Sequence, residues 1–224
     1  MAQSSIFQWR QGAGWLVLSS GNFQNNETEA IDSRMLNRSD ADGPLVYIDA
    51  AHEAAVSEHY LQYLNDLGGR SGYAIDIIVE DDATLQKQIG EAGIIVIGHG
   101  PDGARLYNGL QGVTSKAIAA AYANGALIMG CGIGADVFGQ WLISETTGEI
   151  KPGFGWLTNA VVLGTHPDPQ QKGALQQLLY EQPTAFGLGI QPGAALALGP
   201  THQVELWGNQ QIAISLGRGY SVQE

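Results

Sequence analysis

Short apolar runs alternate with stretches of helical apolar spacing between residues 14 and 143. Residues 15–18, 45–48, 94–97 and 126–129 are uninterrupted apolar segments of strand length, and 73–79 is a further strand-length run broken only by Asp76. None alternates polar with apolar, as expected of strands buried on both faces. Between them, residues 27–37, 53–67 (Val56, Tyr60, Tyr63 and Leu64 on one face), 82–89, 104–110 and 115–123 have helical spacing. Asp81 stands where a helix cap belongs, and Gly68-Gly69 stops the longest pattern. This alternation predicts an α/β fold, a three-layer sandwich around a mostly parallel sheet. A further helical pattern (Val137, Phe138, Trp141, Leu142) follows the fifth run.

The later part reads differently. A strand at 160–163 and a helix at 170–180 precede three short strands, 194–198, 203–207 and 211–215. Gly199-Pro200 and Gly208-Asn209 join these, which predicts an antiparallel edge or flap on the main sheet. With no repeat, linker or low-complexity segment, residues 1–224 are expected to form one domain.

The junction of the fifth run with the pattern after it is the most informative stretch: Ala126-Leu127-Ile128-Met129-Gly130-Cys131-Gly132-Ile133-Gly134-Ala135-Asp136. A strand meeting a helix at a tight corner is how α/β hydrolases lift a nucleophile above the sheet. The form is Gly-x-Nuc-x-Gly, since only small residues fit on either side of the strained one. Gly130 and Gly134 occupy the flanking places. Gly132 occupies the place of the Ser or Cys, so the corner lacks the attacking atom. The same residues also suit an ordinary strand-to-helix turn, and both readings stay open at this point.

Composition narrows the function classes. Formal net charge is −12, with 44% hydrophobic and 14% charged residues, which describes a folded globular chain. The negative charge, without any basic block, excludes a nucleic-acid partner and leaves neutral or cationic ligands. Cys131 is the single cysteine, so no internal disulfide forms. With no leader-like apolar segment and no membrane-length run, the expected location is the cytoplasm and no membrane partner is expected.

Ligands of open α/β sheets sit at the carboxyl ends of the strands. Those ends carry His52, His99, the 130–134 corner and His166. His166 is the candidate general base, and Gly98-His99-Gly100 offers backbone N–H groups to an oxyanion. Glu145 and Glu149 lie in a loop from which an acid could orient a histidine, or they are simply solvated charges. Cys131 could itself be a nucleophile, but Met129 and Ile133 would then fill the tight flanking places, which their bulk opposes. A buried, inert thiol is the plainer reading. No ligand spacing among the histidines supports a metal site, and no cofactor is expected.

Taken in order, several motifs resemble the cyanophycinase and dipeptidase E family of serine peptidases, which has a class I glutamine amidotransferase-like fold. Residues 14–21 (Gly-Trp-Leu-Val-Leu-Ser-Ser-Gly) are similar to its opening strand and turn, and Tyr47-Ile48-Asp49-Ala50-Ala51 to a strand followed by Pro-Thr-Ala. Gly100-Pro101-Asp102-Gly103 resembles its Gly-Gly-Asp/Asn-Gln loop, and Gly130-Cys131-Gly132-Ile133-Gly134-Ala135 its Gly-Thr-Ser-Ala-Gly-Ala. Gly164-Thr165-His166-Pro167 resembles Asp-x-His-Phe, and residues 187–196 resemble Gly-Ile-Gly-Ile-Asp-Glu-x-Thr-Ala-Leu.

The resemblance implies cleavage of a peptide bond beside an acidic residue, by a serine, a histidine base and an orienting acid. The histidine carries over to His166 and the serine falls on Gly132. The Asp and Phe beside the histidine become Gly164 and Pro167, an arginine pair becomes part of Gln170-Gln171-Lys172, and Asp-Glu becomes Gln191-Pro192. The expected site therefore holds Gly132, His166, Cys131 and Glu149 at catalytic positions, and Gly100, Asp102, Ile133 and His99 at binding positions. The expected protein is a degenerate peptidase homologue that retains a pocket for a peptide or small molecule and can form a homodimer. The alternative is an active hydrolase using Cys131 or a water activated by His166.

Overall fold

The structure is a computed structural model, which describes residues 6–38, 42–49, 54–98, 103–144, 147–165 and 173–220. Seven strands form the main sheet. Its parallel centre is β1 (Trp15–Ser19), β5 (Leu127–Cys131), β4 (Ile94–Ile97), β2 (Leu45–Asp49) and β3 (Gly72–Asp76), side by side in that order. The central strands are apolar throughout because both faces are covered. Leu16, Val17, Leu18, Ile95, Val96 and Ile97 are completely buried.

One face packs on α1 (Glu29–Arg38) and α2 (Ala54–Asp66), with Ile31, Met35, Tyr60 and Leu64 meeting Val17, Met129 and Val96. The other face meets α3 (Asp82–Gly90), α4 (Gly103–Gly109) and α5 (Val113–Ala123). Asp81 caps α3 by accepting hydrogen bonds from the N–H groups of Ala83 and Thr84, as the sequence predicts. The α/β class with helices on both faces follows directly. No helix among the described residues is long and apolar enough to cross a membrane.

The second half departs from its sequence reading in two ways. The helical pattern after the corner shrinks to one turn, α6 (Ile133–Asp136), and Trp141 and Leu142 belong to a strand, β6 (Gly139–Ile143). A second, five-stranded sheet then forms from β6, β7 (Ile150–Pro152), β8 (Leu157–Leu163), β9 (Phe186–Ile190) and β12 (Ile212–Leu216). Of the three C-terminal strands, β10 (Ala194–Leu198) and β11 (Val204–Gly208) do extend the main sheet antiparallel, next to β1. β12 instead crosses to the small sheet and pairs with β9.

The small sheet shares the core of the large one, where Ala160, Val162, Phe186 and Leu188 meet Leu196 and Leu198. Its outer face is covered by α7 (Gly173–Glu181) through Leu175 and Leu178. The reason for the strand at 139–143 lies outside that segment. β6 pairs in parallel with β8, and glycine at 139 permits the approach, since a side-chain carbon there would stand 2.9 Å from the Ala160 carbonyl. A short apolar pattern by itself does not separate helix from strand.

On the α1 side, Glu205 of β11 accepts hydrogen bonds from Arg34, Arg38 and the Trp207 indole N–H. The two guanidinium groups lie over Trp207 and Trp15, 5.3 and 4.2 Å from the ring centres. This ties α1 to the antiparallel edge strand.

Close backbone approaches shape the corner. A Cβ at Gly134 would fall 2.2 Å from the Ile97 carbonyl oxygen, inside the paired centre of the sheet. Gly134→Ala is therefore expected to destabilise the protein by more than about 3 kcal/mol in urea denaturation. Gly90→Ala, at a site with nothing within 4 Å, is expected to be neutral or to stabilise by up to about 1 kcal/mol.

Candidate active site at a glycine corner

β5 delivers the chain to Gly130 and Cys131, and Gly132 then turns it into α6 with φ 56° and ψ −117°. An L-residue with a side chain holds that conformation only under strain, of order 1–3 kcal/mol. This is the geometry the Gly-x-Nuc-x-Gly form requires at its centre. The flanking positions behave as the form demands. A Cβ at Gly130 would lie 2.3 Å from the Gly134 carbonyl oxygen, and Gly134 itself abuts Ile97.

The corner is fixed by backbone hydrogen bonds. Gly132 N–H donates to the Ser19 carbonyl of β1 (2.9 Å), and Gly132 C=O accepts from Ala135 N–H (2.9 Å). From the other side comes the end of β8, where a Cβ at Gly164 would lie 2.5 Å from the Gly132 carbonyl oxygen. Gly164 N–H donates to Asp136 Oδ1 at 2.6 Å, and the Ser20 hydroxyl donates to the Gly164 carbonyl. Glycine at 164, where the resemblance has Asp, thus lets β8 press directly on the corner.

His166, His99, Gly100 and Asp102 lie outside the described residues. Their described flanks converge on the corner. Gly98 precedes His99, and its carbonyl oxygen lies 2.8 Å from a Cβ built at Gly134. Gly103 follows Asp102, and a Cβ there would lie 3.8 Å from Ile133 Cγ2. Gly164 stands two residues before His166. Ile133 itself is buried in the core shared by the two sheets. In a nucleophile corner, the residue after the nucleophile supplies an oxyanion N–H, and Ile133 holds that place.

Glu149 lies on the turn between β6 and β7, with a side chain 62% exposed and 3.3 Å from Lys151 Nζ. It occupies a strand-to-strand turn, not the helix-to-strand loop that the sequence pattern suggested.

Cys131 points to the opposite face of the sheet, where it packs with the α1–α2 core. The Ser19 hydroxyl lies 3.1 Å from the Gly130 carbonyl oxygen and 3.4 Å from Cys131 Sγ. Burial pushes the thiol up to about 12, and the nearby Asp32 charge adds to this against the Ser19 hydrogen bond. Such a thiol is almost wholly protonated at neutral pH and a poor nucleophile.

On that face the sequence reading missed a second group. Asp32 of α1 is 1% exposed, and its carboxyl accepts hydrogen bonds from Thr28 Oγ1 (2.6 Å) and the Tyr60 hydroxyl (2.7 Å). Burial lifts it from 3.8 to about 6, against the lowering effect of the hydrogen bonds from Thr28 and Tyr60. A signal existed in the sequence. Thr28, Ile31, Asp32 and Met35 share one helical stripe, so an acid stands on a buried face. Among the described residues no cluster of His, Cys, Asp and Glu suited to a metal is present.

Comparison with known proteins agrees with the fold. The model of peptidase family S51 matches residues 15–203. A crystal structure of a peptidase from an acI-B1 Actinobacterium is similar at a TM-score of 0.72 and 19% identity, covering 95% of each chain. A putative peptidase E protein from Listeria monocytogenes EGD-e is similar at a TM-score of 0.60 and 14% identity, covering 91% of this chain and 98% of that one. No curated protein matches the sequence.

Two measurements check the geometry of the Cys131 face. Native Cys131 is expected to react with iodoacetamide at pH 7.5 at least about a thousandfold more slowly than in the urea-unfolded chain. For Asp32, the folded value near 6 lies above the ordinary 3.8. The native state therefore holds the proton more tightly, and the contribution of Asp32 to stability is greatest below about 4 and is lost as pH rises to about 6. The loss is of order 3 kcal/mol. Asp32→Asn is expected to remove that fall, seen as the difference between the two proteins' melting temperatures across this range.

Proposed function

From the premise that the chain belongs to peptidase family S51, we propose that it is a member without serine-peptidase chemistry. On this reading it keeps, at the glycine corner, a pocket for a peptide or small molecule. The observation that carries the reading is Gly132. The backbone takes the strained corner conformation at this residue, yet there is no hydroxyl or thiol for the corner to present. Removal of a nucleophile from an acyl-transfer site costs up to roughly six orders of magnitude in kcat. What remains is binding and oxyanion stabilisation.

Three further features support the reading. Cys131, the only thiol in the chain, faces the other side of the sheet. Gly164 replaces an acid of the resembled motif and is packed so closely that no side chain fits there. Gln191-Pro192, in place of Asp-Glu, lies in the turn from β9 to β10, where the Pro192 carbonyl accepts from Asn209 Nδ2 at 2.6 Å. The departures fall on chemistry, while the glycine framework that shapes the corner stays intact.

The test is hydrolysis of dipeptides with an N-terminal Asp, and of cyanophycin, by the purified protein. The expected rate does not exceed that of His166→Ala. Turnover lost in His166→Ala but kept in Cys131→Ser would instead establish a histidine-activated water. Turnover lost in both would establish a cysteine hydrolase. As a companion, Gly132→Ser is expected to fold with about 1–3 kcal/mol less stability, because serine must hold φ near 56°.

A further inference from the structure

The space between the two sheets is open at one end, where β11 and β12 are the edge strands of the large and the small sheet. Val204 and Leu206 of β11 pair with Leu198 and Leu196, and Ile214 and Leu216 of β12 pair with Leu188 and Phe186. Those partners all lie in the core shared by the sheets, so the four side chains face the same interior. Each nevertheless stays 40–43% exposed. We propose that a second copy of this chain covers this end, by antiparallel pairing of β12 with β12 of the partner subunit about a two-fold axis at Ile214.

Charge selects the occupant. A solvent-facing edge strand ordinarily carries a charge, a proline or a bulge that blocks further pairing. β12, Ile-Ala-Ile-Ser-Leu, has none of these. Between Gln182 and Gly217 the single formal charge is Glu205, and it is ion-paired with Arg34 and Arg38 of α1. The chain as a whole carries −12. Two copies repel over most of their surface, so an uncharged strand is where they can meet. The far edge of the main sheet shows the contrast. Ile78 and Val79, just after β3, are 60% and 74% exposed, but Asp76, Glu80, Asp81 and Asp82 flank them in the chain. A two-fold contact there would set acid against acid.

The backbone of β12 sets the register. The Gln211 carbonyl accepts from Gln191 N–H, and Gly217 N–H donates to the Ala185 carbonyl. Odd-numbered residues therefore bond to β9, and the N–H and C=O groups of Ile212, Ile214 and Leu216 point to the open edge. An axis at Ile214 places this residue opposite its own copy, and Ile212 opposite Leu216 of the partner subunit. Such an isologous contact forms about six backbone hydrogen bonds and makes every one of these cross-strand pairs apolar. It joins the two small sheets into one. Arg218, the next charge along the chain, lies over the Tyr180 ring, 4.6 Å from its centre. β11 offers a poorer edge, because Glu205 stands at its second position and Gly208 at its end has φ 67°. The contact is independent of the chemistry at Gly132.

Sedimentation equilibrium of the full chain tests the pairing. At about 50 μM the expected mass is twice the 23.7 kDa of one chain. Association should strengthen severalfold between about 0.02 and 0.3 M NaCl, as salt screens the repulsion of the like-charged copies. Ile214→Lys sets two ammonium groups against each other at the axis and should weaken association at least about a hundredfold. Val79→Lys, on the far edge, should not weaken it. If Ile214→Lys does not fold, Ile214→Cys in a Cys131→Ser chain decides. Facing residues of a hydrogen-bonded antiparallel pair lie about 5.5 Å apart, within disulfide reach. Oxidised glutathione should therefore convert the two thiols to one intersubunit disulfide, at least about tenfold faster than in Ile78→Cys in the same chain. A monomer at this concentration, association that weakens with salt, undiminished association in a folded Ile214→Lys, or no cross-link through position 214 overturns the proposal. Association lost in Val79→Lys puts the contact at the β3 edge and overturns it equally.

Discussion

Backbone meets backbone at the end of β5 more closely than any side chain allows, and much of the architecture follows from that contact. Gly134 lies against the Ile97 carbonyl of β4, Gly130 against Gly134, and Gly164 against Gly132. Together these hold the last turn of β5, the end of β4 and the end of β8 in one place. The large and small sheets are thereby locked to each other at their carboxyl edges. Gly132 then reverses the chain into α6 in a conformation strained for every other residue. The glycines specify shape here by having no side chain, and the shape is that of a nucleophile corner.

The main sheet separates two regions of different character. On the α6 side, the corner is a framework of amides and carbonyls with no reactive side chain at its centre. On the α1–α2 side, Cys131 and Asp32 share a small aromatic cavity in which both groups favour their protonated forms. The alternation of side chains along β5 makes this division. Consecutive residues of a strand point to opposite faces, so the thiol adjoining the corner in sequence is directed away from it in space.

Legibility in the sequence followed the physics of each element. β1, β2, β4 and β5 were readable because strands buried on both faces are apolar throughout, and the helices between them carry clear stripes; the edge strand β3 is half exposed and ends at Asp76, short of the expected 79. The 139–143 strand was not, because Trp141 and Leu142 fit a helix as well as a strand, and β8 decides the matter. β7 and β9 were missed for a related reason: one is three residues long and the other, Phe-Gly-Leu-Gly-Ile, is weakened by two glycines. At the site, Gly130, Gly132 and Gly134 were legible as a motif. The direction of Cys131 and the cavity around Asp32 were not, although an acid on the buried stripe of α1 marked the place.

The sequence by itself determined the α/β class, the order of the first strands and helices, and the absence of a nucleophile at Gly132. These are properties of local pattern and residue chemistry. Only the tertiary structure decided that the C-terminal strands divide between two sheets, that Gly164 seals the corner, and that Cys131 belongs to the opposite face. Those outcomes depend on which surfaces meet between segments well separated in the chain. A glycine names the place where backbones can touch, but the touching partner is fixed only when the chain has closed around it.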